Sequence, residues 1–265
     1  MLHLSILHPR LLNTIVAVEA TTHIRSKELE FDGTLPLVSK RDRWASRTDA
    51  EAYFRKIPFF NKILDQRVLE LWLQHGLREQ ADGSVRLASS KHQESLSYAR
   101  PCHPPFGKHL SEFQPDPERH WDLDKEHNNG NAFHRPEIEL IFASLPHLRP
   151  SCFYLYGDKS KRLASVSDRA NKLKTENTGI GQGGSGGGAD KVKELRISGS
   201  HFLPLERPLA VAEQIGPWYA LQLGRWAADE KQEREAWEAV DVNQRGDVPA
   251  DSIQWMQALF GKAKL

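Results

Sequence analysis

Thr14-Ile15-Val16-Ala17-Val18-Glu19 is the stretch on which the fold turns. Five β-prone, nearly all apolar residues run together, as a strand buried on both faces of a parallel sheet must. A carboxylate follows at once. Outward along the chain two further strand candidates follow. Cys152-Phe153-Tyr154-Leu155-Tyr156 is closed by Gly157-Asp158-Lys159-Ser160, and Val192 to Ile197 is followed by Gly199-Ser200-His201-Phe202. Helical patterns lie around these runs: Arg135-Pro136-Glu137 to about Ser144, residues 161–172, and Pro208 to about Arg225. The last carries the apolar stripe Leu209, Ala212, Ile215, Trp218-Tyr219 and Leu223. Strand alternating with helix predicts the α/β class with a parallel sheet. Ligands in such sheets bind beyond the carboxyl ends of the strands, and Glu19, Asp158 and His201 all stand at such ends.

The intervening chain reads differently. Residues 24–44 look extended or looped. A helix opens at Thr48, with Glu51 completing a capping box. A second covers 61–75, with Ile63, Leu64, Val68, Leu71 and Trp72 on one stripe and Gly76 at its end. Residues 100–135 hold five prolines and five histidines in an irregular run, which in a compact domain points to a cap over a site. The organisation expected is a first core segment at 1–20, a mainly helical and irregular inserted cap at 21–147, core again at 148–225, and a helical tail at 226–265.

Composition narrows the function classes. Thirty-six Lys and Arg balance 35 Asp and Glu, which gives no general attraction to nucleic acid or anionic membrane. No apolar run reaches the ~18 residues of a membrane span. Two cysteines, Cys102 and Cys152, are too few for a disulfide scaffold and read as free thiols. The chain ends Lys262-Ala263-Lys264-Leu265. That small-basic-Leu tripeptide is close to the Ser-Lys-Leu address read by the peroxisomal import receptor, so the expected location is the peroxisome.

His201 is the leading chemical residue, because imidazole can take and return a proton near neutral pH. A loop histidine bonded to backbone is the plainer alternative. A catalytic histidine needs a carboxylate to fix its tautomer. Glu19 and Asp158 both qualify, and each could instead cap a following helix; Asp158 suits that role better. Phe202, beside the histidine, and Trp121, in the cap, are the expected substrate contacts. No strand–turn–helix Gly-x-Ser-x-Gly elbow is present. The closest glycine–serine text, Gly184-Ser185-Gly186, comes after both acids.

These residues carry a family likeness. The chain resembles fungal α/β-hydrolases of secondary-metabolite clusters, especially the peroxisomal hydrolase-like proteins of AK-type host-selective toxin biosynthesis. The likeness lies in Leu7-His8-Pro9-Arg10-Leu11 before the first strand, Ser89-Ser90-Lys91-His92-Gln93-Glu94, and Leu145-Pro146-His147-Leu148-Arg149-Pro150. It continues through the glycine-rich run from Thr178 to Gly188 and Gly199-Ser200-His201 with Pro204-Leu205-Glu206-Arg207-Pro208. It covers most of residues 7–220 in patches. It implies an α/β-hydrolase core with an inserted cap, Glu19 as triad acid and His201 as base. The commoner acid site has the form Gly-x-x-Asp; here its fourth position is Ser160, which leaves Asp158 second. It further implies that Met1 falls just past the nucleophile elbow. The expectation is therefore an incomplete hydrolase fold whose bare sheet edge calls for a partner or self-association.

The function implied is cleavage of an ester or acyl-CoA thioester in fungal toxin biosynthesis. The alternative is an inactive truncated hydrolase that binds or assembles. No cofactor or metal is expected: the histidines of 100–135 have irregular spacing, and Asp241 to Ser252 only faintly resembles a calcium loop. The glycines of 179–188 lack phosphate-loop spacing and read as a flexible connector.

Overall fold

The computed structural model describes residues 1–20, 34–98, 136–160, 174–188 and 190–261. In chain order its elements are α1 (Leu2–Leu7), β1 (Thr14–Val18), α2 (Thr34–Ser39), β2 (Arg43–Trp44), α3 (Arg47–Lys56), a π-helical turn (Phe59–Ile63), α4 (Gln66–His75), β3 (Leu77–Glu79), β4 (Val85–Leu87) and α5 (Lys91–Tyr98). There follow α6 (Pro136–Ser144), a 3-10 turn (Leu145–His147), β5 (Ser151–Gly157), β6 (Val192–Ile197), α7 (Leu203–Glu206), α8 (Pro208–Ala239), a second 3-10 turn (Val242–Gln244) and α9 (Ala250–Phe260). Two compact units divide within α8, Met1–Trp218 and Tyr219–Leu265.

The three apolar runs form one parallel sheet in the order β1-β5-β6. Its central strand β5 is buried at all seven positions, which explains its unbroken apolar text. The strand period of two sorts its side chains. Cys152, Tyr154 and Tyr156 join Ile15, Ala17 and Leu148 on one face, whereas Phe153 and Leu155 join Leu203, Val211 and Trp218 on the other. Trp218 closes the second face with its ring 5.4 Å from Phe153 and its Nε1–H donating to Thr14 Oγ1 at 2.9 Å.

The segment between β1 and β5 carries a separate core. Trp44, Ala50, Phe54, Leu69, Leu73, Leu77 and Val85 bury one another, and a small antiparallel sheet, β2-β4-β3, frames them. That sheet adds to the helical and irregular character expected for the cap. The helix boundaries also differ from the sequence expectation. Ser46, not Thr48, caps α3 by accepting from the Asp49 N–H at 3.1 Å. Asp65 caps α4 by accepting from the Arg67 N–H at 2.9 Å, so the apolar stripe begun at Ile63 is broken between a π turn and an α-helix. α8 continues past Arg225 to Ala239. Residues 161–172, the irregular 100–135 run with Trp121, Cys102 and the terminal tripeptide lie outside the described residues.

The glycine-rich run is not the free connector its composition implies. The N–H groups of Gly179, Gly181 and Ser185 donate to the carbonyls of Leu145, Pro146 and Leu148 at 2.8, 2.8 and 2.9 Å. A Cβ on Gly184 would lie 2.4 Å from Gly179 O and 2.5 Å from Pro146 O, so the close approach needs glycine. In the second unit, Asp241 caps its turn by accepting from the Asn243 N–H at 2.8 Å, and the Arg245 guanidinium lies 5.5 Å from the Trp237 ring. No described helix is long and apolar enough to cross a membrane.

Candidate active site

The carboxyl ends of β1 and β5 and the loop after β6 converge on one cluster. Glu19 follows β1 directly, is buried to 9% exposure and has a φ of 53°, which makes it the one non-glycine residue with positive φ among the described residues. Such a backbone costs a non-glycine residue about 1–3 kcal/mol and persists only where its surroundings over-determine it. Here they do. The Glu19 N–H donates to Leu155 O at 2.9 Å, Gly157 N–H donates to Oε1, and Ser160 Oγ donates to Oε2 at 2.8 Å. His201 Nδ1 lies 2.9 Å from Oε2, bridging residues 182 positions apart in sequence.

Burial opposes charge on Glu19, but the hydrogen bonds from His201, Gly157 and Ser160 outweigh it and hold the carboxyl below its ordinary value. The carboxylate therefore stays ionised at neutral pH and accepts from Nδ1–H. That bond fixes the tautomer with Nε2 as the acceptor. His201 keeps a side-chain exposure of 27%, and no described residue bonds its Nε2. A carboxylate bonded by three donors, holding a part-exposed imidazole whose other ring nitrogen bonds no described residue, has the geometry of a general base.

Backbone close approach seats the histidine. A Cβ on Gly157 would fall 2.4 Å from Gly199 O and 2.6 Å from Ser200 O. Asp158 accepts from the Gly199 N–H at 3.0 Å, and Glu206 accepts from the Ser200 N–H at 2.7 Å. Asp158 thus braces the histidine loop without touching the ring. Phe202 is 42% exposed and lies edge-on to His201 at 5.6 Å and to Phe59 at 4.7 Å. Together with the Asp65 N–H bond to Leu205 O at 3.0 Å, this ties the inserted segment to the site. Phe59 was not flagged by sequence, because its partner is distant in the chain and its own segment is a π turn.

Ser160 is the second residue sequence reading left without a role. It stands at the fourth position of Gly-x-x-Asp, and instead of supplying the acid it bonds the acid supplied by Glu19. The letters Gly183-Gly184-Ser185-Gly186-Gly187 do match Gly-x-Ser-x-Gly, but they lie in an irregular loop. Ser185 Oγ is buried there without a hydrogen-bond partner. No three His, Cys, Asp or Glu side chains group as metal ligands among the described residues.

No known protein-family profile matches the chain. It is 24% identical over 261 aligned positions to the type I acyl-CoA thioesterase mpaH' of Penicillium brevicompactum, covering 88% of this chain and 58% of that protein. It is 25% identical over 186 positions to the abhydrolase domain-containing protein AFT2-1 of Alternaria alternata, covering 68% of this chain and 62% of the relative. The chain thus spans somewhat over half the length of the curated relatives it matches. Among solved structures it superposes on the peroxisomal α/β-hydrolase Lpx1 from Saccharomyces cerevisiae with a TM-score of 0.54 at 12% identity, over 98% of this chain and 57% of that one. It superposes on E-2-(acetamidomethylene)succinate hydrolase with a TM-score of 0.50 at 11% identity, over 83% and 62% of the two chains. By fold and by these likenesses, the chain resembles α/β-hydrolases and is similar to fungal proteins of that kind.

Proposed function

We propose that the chain supplies the acid and base of a serine-type hydrolase that cleaves an ester or acyl-CoA thioester. Glu19 is the triad acid and His201 the base. The observation that carries this is the 2.9 Å contact between Glu19 Oε2 and His201 Nδ1 at the carboxyl ends of the parallel sheet. His201 Nε2 takes the serine proton as Oγ attacks the carbonyl and returns it to the departing thiolate or alkoxide, while backbone N–H groups hold the oxyanion. Phe202 is the substrate contact nearest the ring. The thioester preference draws on the relatives named acyl-CoA thioesterases. The pathway, a fungal secondary metabolite of the host-selective toxin kind, draws on the resemblance of the sequence patches. The peroxisome draws on the name of Lpx1.

The alternative function is binding or assembly without turnover. One experiment separates the two. Acyl-CoA hydrolysis is measured for the protein expressed from the full-length transcript, with and without His201→Ala. Turnover lost in a folded His201→Ala variant supports the hydrolase. Full activity in that variant removes His201 from the mechanism, and an inert parent protein favours binding.

A further inference from the structure

Directly behind the acid lies a cation that the acid–base chemistry does not use. Lys174 opens the helical turn at 174–177 and has 0% exposure. Its Nζ donates to Ala20 O at 3.0 Å. It also lies 4.6 Å from the centroid of Tyr156 and 5.2 Å from that of Tyr154. The two tyrosines alternate along β5, so both rings face the same side, with their planes 1° apart. Burial pulls the ammonium down to about 8, while Glu194, Cys152 and Glu19 favour its charge.

A buried ammonium carries a desolvation cost of several kcal/mol and persists where specific contacts offset it. Ring faces offset part of that cost. Its hydrogen bond to the residue after Glu19 is a further such contact. Glu19 adopts its left-handed backbone between two anchors: its own N–H bound to Leu155 O, and the next carbonyl, Ala20 O, bound to Lys174. Loss of the Ala20 anchor removes one of the contacts that hold this backbone in place.

We propose that Lys174 is a positioning residue for the triad acid: clasped by Tyr154 and Tyr156, it pins the Ala20 carbonyl and so holds Glu19 in the conformation that delivers its carboxylate to His201. This rests on the assignment of Glu19 and His201 as acid and base, but its test needs only their contact, not turnover.

The test follows the His201 Nδ1–H proton and ring nitrogens by NMR in the full chain at neutral pH, for the parent, Lys174→Met and Lys174→Arg. The parent is expected to show a low-field, carboxylate-bonded Nδ1–H. Lys174→Met loses that resonance and gives a mixture of tautomers, and Lys174→Arg recovers it in part at a displaced position. An unchanged resonance in folded Lys174→Met overturns the proposal while leaving the acid–base pair intact. Absence of the resonance from the parent overturns the pair, and this proposal with it. Should Lys174→Met not fold, Lys174→Arg decides alone: its planar fork cannot reproduce a point donor, so an unmoved resonance refutes the role.

Discussion

Glu19→Gln keeps the shape of the acid and removes its charge, and its consequences follow from three donors. Gly157 N–H, Ser160 Oγ and His201 Nδ1 all converge on the carboxylate. Hydrogen bonds to a charged group contribute about 1.5–3 kcal/mol and neutral ones about 0.5–1.5, so neutralisation forfeits about 1 kcal/mol per bond. Relief of the burial cost returns part of that sum, which leaves a net loss of about 1–3 kcal/mol. The amide also faces a donor conflict. Gly157 N–H can only donate, so the amide oxygen turns toward it and the NH₂ faces Ser160 and His201. The serine hydroxyl rotates to accept. The imidazole can accept at Nδ1 only by moving its proton to Nε2, the tautomer that cannot act as base. Comparable carboxylate-to-amide changes cost on the order of 10⁴ in turnover in serine-protease triads, and a similar loss is expected here. The folded carboxyl pKa is depressed, so its stabilisation is present above the unfolded value of about 4.3 and is lost as pH falls through the lower folded value. Urea unfolding from neutral pH down to pH ~3 should therefore show the parent losing its advantage over Glu19→Gln in acid. A variant as stable as the parent at pH 7, with its imidazole still protonated on Nδ1, refutes the geometry.

Three further outcomes follow. Gly157→Ala places a Cβ 2.4 Å from Gly199 O, a backbone clash that costs about 1–3 kcal/mol and unseats His201; urea midpoint and histidine tautomer should change together. Trp218→Phe keeps the ring against Phe153 but removes the bond to Thr14, for a loss of about 1 kcal/mol read as a lower midpoint with unchanged slope. Asp158→Asn retains an amide oxygen for the Gly199 N–H, so turnover should stay within about threefold of the parent, which corresponds to about 0.7 kcal/mol. A loss as large as that of Glu19→Gln would make Asp158 the acid.

Much of the sheet was legible: β5, buried on both faces, leaves an unbroken apolar text and β1 nearly so, whereas β6 mixes apolar and charged residues. β1, β5 and β6 fall where Thr14-Val18, Cys152-Tyr156 and Val192-Ile197 place them, and the polar residues at their ends, Glu19 and His201, meet. The small antiparallel sheet was not legible. Strands of two or three residues, such as Arg43–Trp44 and Leu77–Glu79, are too short to display a period of two. Asp65 and Ser46 act as caps through local side-chain geometry, which neighbouring candidates such as Thr48 share on paper. The role of Lys174 was invisible, since its position in sequence says nothing of the tyrosine faces that enclose it. The glycine run misled because composition reports freedom, whereas its N–H groups are committed to the carbonyls of residues 145, 146 and 148.

A double-substitution cycle on acyl-CoA turnover bears most directly on the claim that two distant residues act as one unit. The protein from the full-length transcript is compared with Glu19→Gln, with His201→Ala and with both together. If the carboxylate works only through the imidazole, adding Glu19→Gln to His201→Ala costs nothing more, and the double variant turns over at the rate of His201→Ala alone. Losses that multiply, each residue retaining its full effect in the absence of the other, contradict the pairing.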